Sequence, residues 1–142
     1  MSANILIVED EGLVGLELSF LLQDMGHHVV GVASDAKESA CLVCEELVDM
    51  ALVDLNLADG PTGAEIGRKL ADEHGVSVVY TTANPSQLGD GVPGTVGVLP
   101  KPYAPDAMAA AVDYALKVRE GAEAAAPRRM LVFDRCGSRA WR

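Results

Sequence analysis

Met50-Ala51-Leu52-Val53 is an apolar run that ends in Asp54, and Asp54-Leu55-Asn56-Leu57-Ala58-Asp59-Gly60 follows it with a glycine close behind. A short unbroken apolar run bounded by turn residues reads as a strand buried on both faces, the pattern of parallel sheets. Three other runs end in the same manner. Ile5-Leu6-Ile7-Val8 leads into Glu9-Asp10, Val76-Ser77-Val78-Val79-Tyr80-Thr81 into Thr82, and Val96-Gly97-Val98-Leu99-Pro100 into Lys101. Parallel strands bring all four ends to one carboxyl edge, where ligand sites form in open α/β sheets. That edge would gather two or three acids, a hydroxyl and an ammonium.

Between the runs lie segments of helical period, so the chain reads as repeated βα units with right-handed crossovers. Strands are predicted near 4–9, 28–33, 49–54, 76–82 and 96–100. Helices are predicted over about 11–25, ending at Gly26; 35–47, with Ser34 or Asp35 as N-cap; 63–74, with Gly75 past its end; and 104–120, with Pro105 in the first turn and Gly121 as stop. The crossover from Asn84 to Gly97 holds four glycines and two prolines and has no apolar stripe, so its helix should be short or irregular. Met108, Val112 and Leu116 should form the core stripe of the last helix.

Two apolar stripes mark the first helix. Leu13, Leu16 and Phe20 lie on one side, and Val14, Leu18, Leu21 and Met25 on the other, whereas packing on a sheet needs only one. A broad core face is the favoured expectation, with a partner surface as the alternative.

At 142 residues and 49% hydrophobic side chains the chain suits one domain, expected over residues 1–121, with a tail over 122–142. Within the tail, Met130-Leu131-Val132-Phe133 suggests a short strand near 129–134 or an apolar patch that docks on the chain itself or on a partner, and Cys136 to Arg142 reads as loop. No apolar stretch approaches the roughly 20 residues that span a bilayer, and no signal region opens the chain. No membrane partner is expected, and the expected location is the cytoplasm. Cys41, Cys44 and Cys136 are an odd set at no disulfide-framework spacing; Cys41 and Cys44 are expected as buried small hydrophobes rather than as a redox or metal motif.

The net charge of -10 is uneven. Residues 1–120 carry six Lys+Arg against nineteen Asp+Glu, and residues 121–142 five Arg against two acids. An acidic body repels nucleic-acid phosphates, so no nucleic-acid partner is expected.

Carboxylates that converge within a few ångströms demand a cation. An all-oxygen set suits Mg²⁺, which keeps waters and bridges to phosphate oxygens, better than zinc. Phosphoryl transfer needs charge neutralised on three equatorial oxygens and in-line placement. Mg²⁺ would take one oxygen, the Lys101 ammonium another, and the Thr82 hydroxyl with a backbone N–H the third, leaving Asp54 as the nucleophile.

These residues resemble the receiver domain of two-component response regulators. The family's acidic pair after strand 1 is matched by Glu9-Asp10, its phosphorylated Asp by Asp54, its Thr/Ser-Ala by Thr82-Ala83 and its Lys-Pro by Lys101-Pro102. The resemblance covers about residues 3–119. It implies an α/β, doubly wound, five-stranded parallel sheet of the flavodoxin-like (CheY-like) kind, order 2-1-3-4-5. It also implies phosphorylation of Asp54 by a histidine kinase or phosphotransfer protein, and Mg²⁺ held by Asp10, Asp54 and the backbone carbonyl of Asn56, with Glu9 acting through a metal-bound water. Thr82 and Lys101 complete the catalytic set. Asn56 and Asn84 fall at positions that tune phosphate loss in the family, and neutral amides there supply no general base, so the phosphorylated form should not be unusually short-lived.

One departure stands out. The aromatic switch residue three positions before the lysine is here Val98, so Tyr80, Tyr103 or a reorganised segment after Asn84 must take its part. Segment 84–97 resembles an atypical subset of stand-alone receivers with a weakened fourth helix and a Pro-Lys-Pro turn, often found in bacterial stress signalling.

Only twenty-one residues follow Gly121, so output is expected through a downstream protein partner. A phosphate sink or kinase inhibitor is the alternative. The alanine-rich helix around Met108–Leu116 suits either a phosphorylation-dependent homodimer or plain cover of the sheet. No enzyme activity beyond the chain's own phosphorylation and dephosphorylation is expected. A small aspartyl-phosphate hydrolase would want a second Asp two residues after the nucleophile, where Asn56 stands.

Overall fold

The computed structural model describes residues 2–57, 60–89, 91–133 and, for the backbone, 139–140. Five parallel strands run in the order β2-β1-β3-β4-β5: β1 (Asn4–Val8), β2 (His28–Ala33), β3 (Met50–Asp54), β4 (Ser77–Thr82) and β5 (Gly97–Pro100). Helices α1 (Gly12–Asp24) and α4 (Pro105–Arg119) cover one face, and α2 (Ala36–Glu45) and α3 (Gly63–His74) the other. The fold is α/β and doubly wound, in the expected parallel order.

Alternation along the strands divides the core. Ile5 and Ile7 of β1, with Met50 and Leu52 of β3, pack against Leu18 and Leu22 of α1 and against Met108, Ala111, Val112 and Ala115 of α4. Leu6, Val8, Ala51 and Val53 face the other way, onto Val43 of α2 and onto Ile66 and Leu70 of α3. Strands buried on both faces need apolar side chains at every position, which is why they read as unbroken runs. The helix ends follow the local chemistry: the Asp35 side chain accepts from the Glu38 N–H at 2.9 Å as N-cap of α2, and Gly75 closes α3 at φ 65°.

Four expectations change. The sheet has seven strands rather than five, because β6 (Leu131–Phe133) pairs antiparallel with β5, and β7 (Arg139–Ala140) with β6. The apolar Met130–Phe133 run supplies β6, with Met130 and Val132 packed on the α1/α4 side and Phe133 on the other. At Gly97 a Cβ would run into the Leu131 carbonyl, so the glycine lets β6 approach β5. Second, β7 replaces part of the expected loop; Cys136 lies outside the described residues. Third, Cys41 and Cys44 are exposed, because α2 turns its neighbouring Leu42 and Val43 inward instead. Fourth, the broad core face of α1 is not formed. Leu13, Leu16 and Phe20 are 70%, 50% and 58% exposed, while Leu18 and Leu22 carry the packing.

The crossover from β4 to β5 contains a single 3₁₀ turn, Pro85–Leu88, as its composition predicts. Gly89, Gly91 and Gly94 all sit at positive φ, a backbone path that other residues rarely take. Leu88 and Val92 anchor the segment to the core.

Candidate functional site

Each strand end at the carboxyl edge delivers one polar group. β1 ends one residue before Glu9, which is 4% exposed; β3 ends in Asp54, 6% exposed; β4 ends in the fully buried Thr82; β5 is followed by Lys101. Carboxylate oxygens of Glu9, Asp10 and Asp54 lie within 4.8 Å of one another, with Asp10 open to solvent. The Lys101 ammonium Nζ donates to Asp54 Oδ2 at 2.9 Å and stands 3.9 Å from Glu9 Oε1. The Asn56 N–H donates to Asp54 Oδ1 at 3.0 Å, so both Asp54 oxygens are engaged.

Local structure fixes these groups. The Asp10 N–H donates to Glu9 Oε2 at 3.0 Å, which folds the Glu9 carboxylate back onto its own loop. The Leu55 N–H donates to the Thr81 carbonyl at 3.1 Å, and the Lys101 N–H to the Thr82 carbonyl at 2.7 Å, so the three loops are tied as well as the strands. Lys101-Pro102 is a cis peptide, as the Lys-Pro pair suggests. Behind Asp54, Gly63 opens α3 so close to the Asp54 and Leu55 backbone that any Cβ would collide with it.

The electrostatics are those of an acid cluster short of counter-charge. Burial, then the hydrogen bond and negative charge of Asp54, raise the Glu9 carboxyl to about 7 against the pull of Lys101. Burial disfavours the charged form of Lys101, but the hydrogen bond and charge of Asp54, with Glu9 behind it, outweigh this and hold the ammonium above its usual value. The Lys101 ammonium reaches the two buried carboxylates, Asp54 and Glu9, and Asp10 adds a third acid to the cluster. Two buried acids and one exposed acid around a single lysine fit a small hard cation, and the donors are all oxygen.

The expected site residues Glu9, Asp10, Asp54, Asn56, Thr82 and Lys101 therefore meet at one edge. Sequence reading missed Gln87. Its side-chain oxygen accepts from Thr82 Oγ1 at 3.2 Å and from Asn56 Nδ2 at 3.3 Å, and its Nε2 donates to Asn56 Oδ1 at 3.4 Å. An amide in a glycine- and proline-rich crossover carries no periodic signal that would have drawn notice. Of the two tyrosines considered in place of Val98, Tyr80 is fully buried and donates to the Ala64 carbonyl at 2.8 Å, and Tyr103 packs on the α1/α4 core. A cavity of about 910 Å³ is lined by Ser77, Val96, Tyr114, Val132 and Phe133, among others; Ser77 and Val96 mark the amino ends of β4 and β5, opposite the acids.

A doubly wound sheet that presents an acid triad, a hydroxyl and a lysine at its carboxyl edge has the architecture of a receiver-type signalling domain. Residues 5–113 match the response regulator receiver domain family, and the chain belongs to it. It is 32% identical over 124 residues to the phyllosphere-induced regulator PhyR of Methylorubrum extorquens, a match covering 86% of this chain and 46% of that protein. Among solved structures it is similar to the PhyR response regulator REC domain of Erythrobacter litoralis, with TM-score 0.76 and 29% identity over 87% of this chain and 97% of that one. The anti-anti-sigma factor PhyR of Bartonella quintana matches with TM-score 0.75 and 27% identity, over 85% of this chain and 50% of that one. The chain thus spans about half the length of the full PhyR proteins it resembles. Among the described residues no helix is long and apolar enough to cross a membrane.

Proposed function

We propose that this receiver accepts a phosphoryl group on Asp54 from a histidine kinase or a histidine phosphotransfer protein and passes the signal on by protein contact. The observation that carries this reading is the Lys101 Nζ to Asp54 Oδ2 contact of 2.9 Å inside the Glu9, Asp10, Asp54 cluster. In the transfer, the bond from phosphorus to the donor's imidazole nitrogen breaks, a bond from phosphorus to an Asp54 carboxylate oxygen forms, and the freed nitrogen takes up a proton. Glu9, Asp10, Asp54 and the Asn56 carbonyl would hold Mg²⁺, which supplies charge neutralisation for a phosphoryl oxygen. Lys101 sits ready to neutralise a second oxygen, and the Thr82 hydroxyl and the loop N–H groups serve the third.

The exposed Leu13, Leu16 and Phe20 suit the phosphodonor protein, because α1 begins three residues after Glu9 and its apolar outer face lies beside the acids. Output through a protein partner in stress signalling is supported by the likeness to PhyR, one example of which is described as an anti-anti-sigma factor. Residues 1–121 would form the receiver, and 122–142 a tail that adds β6 and β7 to its sheet.

Intact-protein mass after incubation with Mg²⁺ and a small acyl phosphate tests the reading. One phosphoryl mass should be gained by the wild type, and not by Asp54→Ala or by wild type with excess chelator. Equal modification of Asp54→Ala, or none of the wild type, would overturn it.

A further inference from the structure

We propose that Gln87 is a latch that holds the receiver in its resting state by occupying the Thr82 hydroxyl, and that phosphorylation acts by taking that hydroxyl away. The inference rests on the phosphoacceptor reading of Asp54 and concerns how that site is coupled to the rest of the molecule.

The argument begins with a proton count. A threonine hydroxyl has one hydrogen to donate. The Thr82 side chain is fully buried, and its proton points to Gln87 Oε1 at 3.2 Å, while its oxygen already accepts from the Asn84 N–H at 3.0 Å. A phosphoryl group on Asp54 brings acceptor oxygens to the same edge. Thr82 cannot donate to a phosphoryl oxygen and to Gln87 at once, so the two states exclude each other.

Geometry then says what is released. Gln87 lies in the 3₁₀ turn Pro85–Leu88, and its amide meets the Asn56 amide through two further bonds of 3.3 and 3.4 Å. One side chain therefore ties three places together: the end of β4, the loop that follows Asp54, and the crossover. All three bonds are long, and both Gln87 and Asn56 are exposed, so water competes with the two bonds between them and the part-buried bond to Thr82 is the firmer one. Such bonds act as a readily opened fastening. A charged phosphoryl acceptor draws the hydroxyl more strongly than a neutral amide oxygen does.

The crossover is built to respond. From Asn84 to Thr95 its backbone bonds are short-range turns (Gln87 to Asn84, Gly89 to Ser86, Gly91 to Leu88, Thr95 to Val92), with three glycines at positive φ, and the tie to the sheet comes only at Val96, whose N–H donates to the Val78 carbonyl at 2.8 Å. Val98 is buried and carries no polar group to meet the Thr82 hydroxyl, and Tyr80 is fixed to the Ala64 carbonyl, so the coupling that an aromatic residue would carry falls to the Gln87 amide.

The test uses the full chain and the variants Gln87→Ala and Gln87→Glu. Amide hydrogen exchange without phosphodonor reads the latch directly. Gln87→Ala should exchange faster over the described residues 84–89 and 91–96, with the strands unchanged. Gln87→Glu keeps an acceptor for Thr82 and Asn56 and should restore protection. With Mg²⁺ and an acyl phosphate, Gln87→Ala should be phosphorylated about three- to tenfold faster than wild type, the range one hydrogen bond is worth. In a Thr82→Val background, which has no hydroxyl to release, Gln87→Ala should bring no acceleration. Unchanged exchange, an unchanged rate, or equal acceleration in the Thr82→Val background would each overturn the latch. Failure of the wild type to take a phosphoryl group overturns the Asp54 reading itself and the release step with it, and the exchange comparison then shows separately whether Gln87 fastens the crossover.

Discussion

The carboxyl edge around Asp54 and the crossover from β4 to β5 adjoin each other, yet they are held by opposite means. Around Asp54 the loops are tied by backbone bonds of 2.7 to 3.2 Å, Glu9 and Asp54 are nearly dry, and α3 starts against the backbone with no room for a side chain at Gly63. Across the crossover the polar ties are local turns and one exposed amide, Leu88 and Val92 supply the contact with the core, and a Cβ at Gly89 would meet nothing within 4 Å. Chemistry that depends on placement within fractions of an ångström is set in the first region. A segment meant to change conformation is drawn from the less stable part of the fold, which the second supplies.

The comparison breaks most sharply through its glycines. Gly63→Ala places a Cβ against the Asp54 carbonyl and Leu55 Cα, and backbone on both sides cannot step aside. The expected cost is about 3 kcal/mol, or roughly 10 °C in melting temperature, with the Asp54 loop displaced. Calorimetry and Mg²⁺-dependent phosphorylation measure the two effects. A Gly63→Ala protein with wild-type stability would show that this region is as pliable as the crossover.

A smaller effect comes from charge. Glu9 is raised to about 7, above the ordinary 4.5, so the folded state holds its proton more tightly than the unfolded chain. This contribution to stability is present in full below pH 4.5 and is lost as pH rises toward 7. Without divalent metal, unfolding free energy should fall by about 2 kcal/mol across that window relative to Glu9→Gln. Excess Mg²⁺ should stabilise the wild type most at the upper end, where the carboxylates are ionised. Denaturant titrations at several pH values, with and without Mg²⁺, decide this. A wild type and a Glu9→Gln variant with parallel pH profiles would remove the strain from the picture.

How much of each region was legible follows from the same difference. The strands around the site are buried on both faces, so burial itself wrote unbroken apolar runs, and the polar residue ending each run marked the edge. Glu9, Asp10, Asp54, Thr82 and Lys101 were readable for that reason. The crossover has no face to bury along a helix, so composition told only that a regular helix was absent, and Gln87 was silent because its role depends on where an irregular backbone happens to carry an amide. Apolar residues around much of α1 left the outward stripe undecided, since periodicity alone cannot say which of two stripes meets the sheet. Cys41 and Cys44 misled because a small side chain often buried in other proteins sits on a short helix whose inward positions Leu42 and Val43 already fill. β7 was unreadable because Arg139–Ala140 pairs through backbone, which any residue can offer.

The smallest expected effect lies at Gly89. Its φ of 56° and ψ of -120° is a conformation that L-residues adopt only with strain, yet a Cβ there would meet nothing within 4 Å. Were the crossover as firmly held as the Asp54 loop, Gly89→Ala would keep that conformation and lose the full 1 to 3 kcal/mol, roughly, of backbone strain. A loosely tied segment has the other course of shifting its backbone, at the expense of a few exposed hydrogen bonds. Gly89→Ala is therefore expected to lower global stability by about 0.5 kcal/mol or less, while hydrogen exchange quickens over the described residues 84–89 and 91–96. Alanine also narrows the unfolded ensemble, which offsets part of the strain and pushes the global effect further toward zero. A loss of stability near that of Gly63→Ala, with exchange unchanged in the crossover, would mean that the 3₁₀ segment is a rigid strut. Signalling would then have to leave the site by another route, and the exposed face of α1 is the next element to test.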